Sequence, residues 1–226
     1  MDMKSVQKKG NLFIPSIYNY GQYAHIFCGE HKISGADCPN CKKKLLRFLS
    51  IDMRDPLISI DLHNFNFLHL LYCWTCNISQ ETFFYKLLGN NEIKITKCGI
   101  GGVTNNFPYQ NYPDFFPKSS GQFKPLSINQ QNVIRNVNSG KIDEYDLNYD
   151  DAKICIPNHQ IGGEPYLIQK ELQYIKCIEC RSYMMFLGAI CDKCWDHRGF
   201  TGNDFVQVIF YFCIHCMQIA ALQHCD

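Results

Sequence analysis

Five cysteine pairs with C-x-x-C spacing carry the chemistry legible in this sequence: Cys38-Pro-Asn-Cys41, Cys73-Trp-Thr-Cys76, Cys177-Ile-Glu-Cys180, Cys191-Asp-Lys-Cys194 and Cys213-Ile-His-Cys216. A two-residue spacer lets both thiolates of a tight turn bind one ion at about 2.3 Å, while N–H groups of the turn stabilise the sulfur charge. Four such sulfurs complete a tetrahedral Zn²⁺ site and leave no position for water or substrate, so the metal is structural and not catalytic. Cys38, Cys41, Cys73 and Cys76 are expected to form one four-cysteine site, and Cys177, Cys180, Cys213 and Cys216 a second. The competing reading is buried free thiols in strands, which are common but seldom fall in matched pairs.

Cys191, Cys194 and His197 offer three more ligand-like groups, for a third ion if His159, Cys155, His224 or Cys225 supplies a fourth. Without a fourth ligand the stretch is a loop with incidental cysteines. Cys28 and His31, a C-x-x-H pair, read as core residues before ligands.

The pairs require hairpins to bring them together. Met184-Met-Phe-Leu187 and Val206-Gln-Val-Ile-Phe-Tyr-Phe212 read as buried strands, and antiparallel pairing places Cys177–Cys180 beside Cys213–Cys216. Leu45–Ile51 and Phe67–Tyr72 do the same for Cys38–Cys41 and Cys73–Cys76. The spacing nearly repeats, with 31 residues between Cys41 and Cys73 and 32 between Cys180 and Cys213. Upstream, His31-Lys-Ile-Ser-Gly35 aligns with His159-Gln-Ile-Gly-Gly163, and Phe13-Ile-Pro15 resembles Cys155-Ile-Pro157. The pattern reads as an internal duplication.

The expected fold is therefore mainly β, with few short helices and a four-cysteine zinc-knuckle hairpin in each of two similar halves. It comprises a first zinc-binding half at residues 11–98, a connecting segment at 99–151 rich in Asn, Gln, Pro, Gly and Ser, and a second zinc-binding half at 152–226. Ser127 to Val137 is expected to form a helix ending at Gly140. Ser79–Phe83 suits either a helix cap or a strand. A turn at Pro165 followed by a strand at Tyr166–Gln169 is expected before the third C-x-x-C pair of hairpin ligands.

The 226 residues, 26.2 kDa, carry 46% hydrophobic and 14% aromatic side chains, enough to bury a real core. Twenty-two basic residues balance 21 acidic ones, which removes the electrostatic argument for nucleic acid. Lys42–Lys44 reads as a solvated turn. The first ten residues lack the apolar core of a signal peptide, and no apolar run approaches bilayer length. The 14 cysteines are accordingly expected in a reducing, cytoplasmic setting, where C-x-x-C spacing means metal before disulfide. No H-x-E with P-C-x-x-C, G-x-S-x-G, H-E-x-x-H or Walker loop occurs, so no catalytic residue is assigned and no enzyme is expected.

His159-Gln-Ile-Gly-Gly-Glu-Pro-Tyr-Leu-Ile-Gln169, Cys177-Ile-Glu-Cys180 with Met185-Phe-Leu187, and Phe210-Tyr-Phe-Cys-Ile-His-Cys216 together resemble the YwqG-like family, which is related to the C-terminal part of programmed cell death protein 2. The match spans about 60 residues well and most of the chain weakly. The first half departs from the pattern, with Ile33-Ser34-Gly35 where the second has Ile161-Gly-Gly-Glu-Pro165. The resemblance implies two similar β-rich halves, no known catalysis and a protein-binding role. Eukaryotic relatives are chaperones for a ribosomal protein, and bacterial relatives are often encoded beside toxins, as immunity proteins are. The leading expectation is an immunity-type protein that occludes a toxin. A ribosomal-protein chaperone is the first alternative, and a zinc-knuckle nucleic-acid binder using Tyr72, Trp74 and Trp195 the second. An enzyme with an open metal position at Cys191, Cys194 and His197 is the remaining rival.

Overall fold

The computed structural model describes residues 4–18, 21–60, 62, 64–77, 82–99, 114–143, 159–169, 174–191 and 206–225. The elements run β1 (Asn11–Ser16), β2 (Ile26–Phe27), β3 (Leu46–Asp52), β4 (Phe67–Tyr72), α1 (Trp74–Asn77), β5 (Phe83–Gly89), β6 (Glu92–Lys97), β7 (Ser120–Pro125), α2 (Ile128–Asn138), β8 (Gln160–Ile161), β9 (Met185–Cys191), β10 (Val206–Cys213) and β11 (Gln218–Cys225). The protein is mainly β, as its alternating and apolar runs require.

Two sheets share one core. An eight-stranded sheet has the order β6-β5-β11-β10-β9-β8-β1-β7, and a three-stranded sheet the order β2-β3-β4. Phe48 of the small sheet meets Phe210 of the large one at 6.3 Å between ring centroids, inside a cluster that also holds Phe27, Leu70, Leu187 and Ile219. The alternate residues of the large sheet, among them Phe186, Ile209, Tyr211, Ala220 and Leu222, pack with Leu167, Cys177 and Met184 in a second cluster. β10 is thus covered on both faces, which explains why every one of its residues is buried and why its sequence is nearly all apolar.

The strands interleave along the chain. β5 leaves the small sheet's hairpin and pairs with β11, Ile219 opposite Tyr85, while β1 and β7 pair with each other and β1 also with β8. The Tyr85 hydroxyl reaches back to β4, donating to the His69 carbonyl at 2.8 Å and accepting from the Leu71 N–H at 3.0 Å. It thereby satisfies backbone groups of an edge strand that lacks a further partner strand among the described residues.

α2 forms where Ser127 begins a capping box. Its hydroxyl accepts from the Gln130 N–H, the Gln130 side chain accepts from the Ser127 N–H, and Gly140 leaves the helix at φ 69°. Phe83 opens strand β5, and residues 78–81 lie outside the described set. The strand expected at Tyr166–Gln169 is absent. Its backbone is satisfied instead by side-chain amides: the Tyr166 carbonyl accepts from Gln207 Nε2 at 2.8 Å, and the Leu167 and Ile168 N–H groups donate to Asn138 Oδ1 and Gln207 Oε1.

The paired hairpins share the same register around a bulge, and this corrects the alignment drawn from sequence. A bulge falls at Phe48, opposite Leu70 and Leu71, and at Leu187, opposite Phe210 and Tyr211. One residue beyond each bulge, Leu49 pairs with Phe27 and Gly188 with Ile161. His159-Gln-Ile-Gly-Gly163 therefore corresponds to His25-Ile-Phe-Cys-Gly29 and not to His31–Gly35. The backbone agrees, for Cys28, Gly29, Gly162 and Gly163 all have positive φ, between 56° and 83°. The histidines agree too: the Asp52 N–H donates to His25 Nδ1 at 3.0 Å, and the Cys191 N–H to His159 Nδ1 at 3.3 Å. His31–Gly35 has a separate task. Ser34 bridges to Glu92, and Gly35 at φ 73° passes so close to β6 that a Cβ there would lie 2.0 Å from the Ile93 carbonyl oxygen.

Gly163 is held as firmly. At φ 66° a Cβ would stand 2.7 Å from the backbone of Gly10, which the N-terminal segment lays across the turn. Gly163→Ala is expected to cost about 2–4 kcal/mol, from left-handed strain plus overpacking. Equilibrium urea unfolding checks this, and a change below ~0.5 kcal/mol would contradict the packing described.

Candidate metal centres

The first knuckle begins where Asp37 bridges Lys44. The Lys42 N–H donates to the Cys38 carbonyl at 2.9 Å, the Cys38 N–H donates to the Lys43 carbonyl at 2.8 Å, and Lys42 adopts φ 63°. The second repeats this geometry: Lys176 bridges Tyr183, the Arg181 N–H donates to the Cys177 carbonyl at 3.0 Å, the Cys177 N–H donates to the Ser182 carbonyl at 2.9 Å, and Arg181 adopts φ 62°. Lys42–Lys44 is a solvated turn, with Lys44 paired to Asp37 at 3.1 Å.

The returning pairs differ. Cys73 and Cys76 flank and enter the single helical turn α1, from which the chain crosses to the large sheet. Cys213 and Cys216 form a turn that ends at Met217, φ 54°, and runs directly into β11 alongside β10.

The structure brings together both expected quartets. In each, four sulfurs lie within 4.8 Å of one another, as Cys38, Cys41, Cys73 and Cys76, and as Cys177, Cys180, Cys213 and Cys216. Individual Sγ–Sγ distances are 3.7 Å for Cys38–Cys76, 3.7 Å for Cys41–Cys73 and 3.6 Å for Cys180–Cys213. A disulfide would need about 2.05 Å. Four thiolates around an ion at about 2.3 Å are instead expected about 3.8 Å apart, so the quartets fit a tetrahedral metal.

The thiols within each quartet shift in opposite directions. In the first quartet hydrogen bonds from Cys73 and the turn pull Cys38 down to about 4. Burial pushes Cys76 up to about 12, and the hydrogen bond to Cys38 together with burial pushes Cys73 well upward. In the second, hydrogen bonds from Ser182 pull Cys180 down to about 6, and burial pushes Cys216 up to about 12. One thiol of each quartet is pulled down, and in the first the Cys38 charge adds to the upward push on Cys73 and Cys76. Four thiolates can coexist there only around a cation.

The surroundings of the quartets are not alike. Cys38, Cys73 and Cys76 are buried and Cys41 half-buried, whereas Cys180 is exposed and Cys216 half-buried. Asn40 Nδ2 donates to Cys76 Sγ at 3.2 Å, and a fifth thiol, Cys98, lies 3.8 Å from Cys38. In the second quartet an amide stands by the first cysteine: Gln218 Oε1 accepts from Cys177 Sγ at 3.2 Å and from the Ile178 N–H at 3.0 Å. Lys86 of β5 pairs with Glu179, inside the knuckle, at 2.9 Å. Sequence spacing gave no signal for Cys98 or Gln218, since neither belongs to a C-x-x-C pair.

The third ligand set is not assembled among the described residues. Cys191 is the buried last residue of β9, not part of a loop, and its N–H already donates to His159 Nδ1, with its sulfur at 3.5 Å from that nitrogen. His224 is separated from Cys191 by Gln207 of the intervening strand. Cys155, Cys194 and His197 lie outside the described residues. Cys28 and His31 are core residues, His31 Nε2 donating to the Leu45 carbonyl at 2.7 Å while its Nδ1 accepts from the Ile33 N–H. Tyr72 and Trp74 are buried to 0% and 1% exposure, which withdraws both from base stacking, and Trp195 lies outside the described residues.

Fold and site define a mainly β protein with two tetra-cysteine centres able to hold metal ions. Compared with family models, with curated proteins and with solved structures, the chain shows no match to any. No described helix is long and apolar enough to cross a membrane.

Proposed function

We propose that the protein is a non-enzymatic binding module whose surface is held in shape by two structural Zn²⁺ ions. The observation that carries this reading is the thiol quartets, each at tetrahedral spacing and each closing the open end of a β-hairpin. Four protein sulfurs leave the ion no open coordination position, so its contribution is to fold stability. Tetrahedral four-sulfur sets suit zinc or iron. Metal analysis of native protein should return about two zinc ions per chain, and a visible thiolate-to-iron absorption band would overturn the assignment.

The partner is a protein. β7, at one end of the large sheet, pairs with one described strand, and past the Phe27–Ser119 bridge that precedes it an extended segment can add as a strand. Among partner classes, the resemblance to the YwqG-like family favours a toxin held by stoichiometric occlusion. Mass spectrometry of what co-purifies with the intact protein tests this. A toxin at one-to-one ratio is the expected result, a nascent ribosomal protein would replace it with the chaperone reading, and steeply salt-dependent RNA or DNA recovery would replace both.

A further inference from the structure

Cys98 belongs to no ligand pair, yet it follows directly on β6, half-buried, with its sulfur 3.8 Å from that of Cys38. The Gly99 carbonyl lies 3.3 Å from the same sulfur, and Asn40 Nδ2, which donates to Cys76, also donates to Gly99 at 3.4 Å. The β6 terminus is thus tied to the first knuckle at two points. The second centre has no such thiol among the described residues, and Gln218 fills the place beside Cys177.

We propose that Cys98 is an oxidation site that closes a disulfide onto Cys38 and so withdraws one ligand from the first metal centre. This rests on the zinc reading above. The oxidant is a peroxide. One sulfur of the pair attacks the peroxide O–O bond, becoming a sulfenic acid as water leaves. The second sulfur then attacks that S–OH, the S–S bond forms, and the hydroxyl leaves as a second water. The two sulfurs give up two electrons, the O–O bond takes them, and the protons of both waters come from the thiols and solvent. Proximity makes closure unimolecular, and Cys98, at a strand end, has only to cover the distance from 3.8 Å to the ~2.05 Å of a disulfide. The centre then keeps three sulfurs and binds its ion weakly. The two centres of one chain therefore differ, the first having an extra thiol that can close onto a ligand and the second having none among the described residues.

The test uses full-length, zinc-loaded protein and hydrogen peroxide. Metal content before treatment examines the zinc reading alone, and protein isolated without metal would overturn that reading while the disulfide map still decides the thiol pairing. After treatment, non-reducing peptide mapping should find Cys38 linked to Cys98, and a zinc-sensitive dye should record one ion released early, restored by dithiothreitol and zinc. Pulse alkylation should show Cys41, Cys73 and Cys76 opening before the second quartet does. Cys98→Ser should retain both ions before treatment and release the first about tenfold more slowly, because the intramolecular partner is gone. Absence of the Cys38–Cys98 linkage in zinc-loaded wild-type protein, or release from the first centre of Cys98→Ser at the wild-type rate, would overturn the proposal.

Discussion

Stripping both metal ions is expected to abolish the cooperative unfolding transition altogether. Structural zinc binding contributes about 10–16 kcal/mol in small metal-organised folds, comparable with or larger than the ~5–15 kcal/mol by which domains are stable. Here the ligands are also core residues. Cys38, Cys73 and Cys76 pack in the cluster between the two sheets, and Cys177 and Cys213 in the cluster on the other side of β10. Without a cation nothing bridges the four sulfurs, and the hairpin ends they hold come apart. The centres should also empty in order, the second first, since Cys180 is exposed while three ligands of the first centre are buried. Titration with a strong chelator, followed by metal analysis and circular dichroism, should show one ion lost before the other and melting cooperativity lost with the last. Cys38→Ser and Cys177→Ser should each leave about one ion per chain. Metal-free protein that melts at the same temperature as native protein would refute a structural role.

Acid should destabilise the fold well above the range in which carboxylates titrate. Burial holds His69 and His224 down to about 4, against an ordinary 6.5. His69 is satisfied in its neutral form, Ser50 Oγ donating to Nδ1 at 2.7 Å and Nε2 donating to the Asn90 carbonyl at 2.7 Å. His224, 1% exposed, has no hydrogen-bond partner at either ring nitrogen among the described residues. Between pH 6.5 and 4 the unfolded chain binds these protons and the folded chain does not, so stability falls as pH falls. Each histidine accounts for up to about 3 kcal/mol of that loss. Asp52, held far below the usual carboxylate range chiefly by Arg54, acts in a separate window: its contribution is present above about 3.8 and lost only below that. His224→Leu isolates one histidine, because protonation of the metal thiolates is common to both proteins. Urea midpoints measured from about pH 7 to 4.5 should fall less steeply for His224→Leu. At about pH 7 the variant should be no less stable than wild type, since a buried imidazole with no partner among the described residues is replaced by an apolar group. Identical pH profiles for the two proteins would rule out a neutral buried His224.

Much of this was readable beforehand wherever a short-range pattern carries its own physics. Cysteines three apart put two sulfurs on one short bend, as at Cys38–Cys41, Cys177–Cys180 and Cys213–Cys216, and an apolar run such as Val206–Phe212 must be a covered strand. Ser127 with Gln130 satisfies the orphan N–H groups of a helix start whatever the helix later packs against. The failures involve residues whose meaning comes from a distant partner. His31-Lys-Ile-Ser-Gly35 looks like His159-Gln-Ile-Gly-Gly163, but the bulge at Phe48 pairs β3 with Phe27, so His25 holds the equivalent place. Tyr166–Gln169 has strand-like composition, yet Gln207 and Asn138 take its backbone bonds.

The sequence by itself therefore determined the eight cysteines of the two quartets, the hairpins that carry them, the helix after Ser127 and the mainly β class. Each depends on contacts within a few residues or between adjacent strands, where chain geometry leaves little choice. Tertiary structure alone decided that β5 would leave its hairpin for β11, that Tyr85 would close the edge of β4, and that Gln218 would face one centre and Cys98 the other. Those juxtapositions join residues from 14 to more than a hundred positions apart. They are set by which sheet faces bury one another, a choice made by the whole core and written in no local spacing.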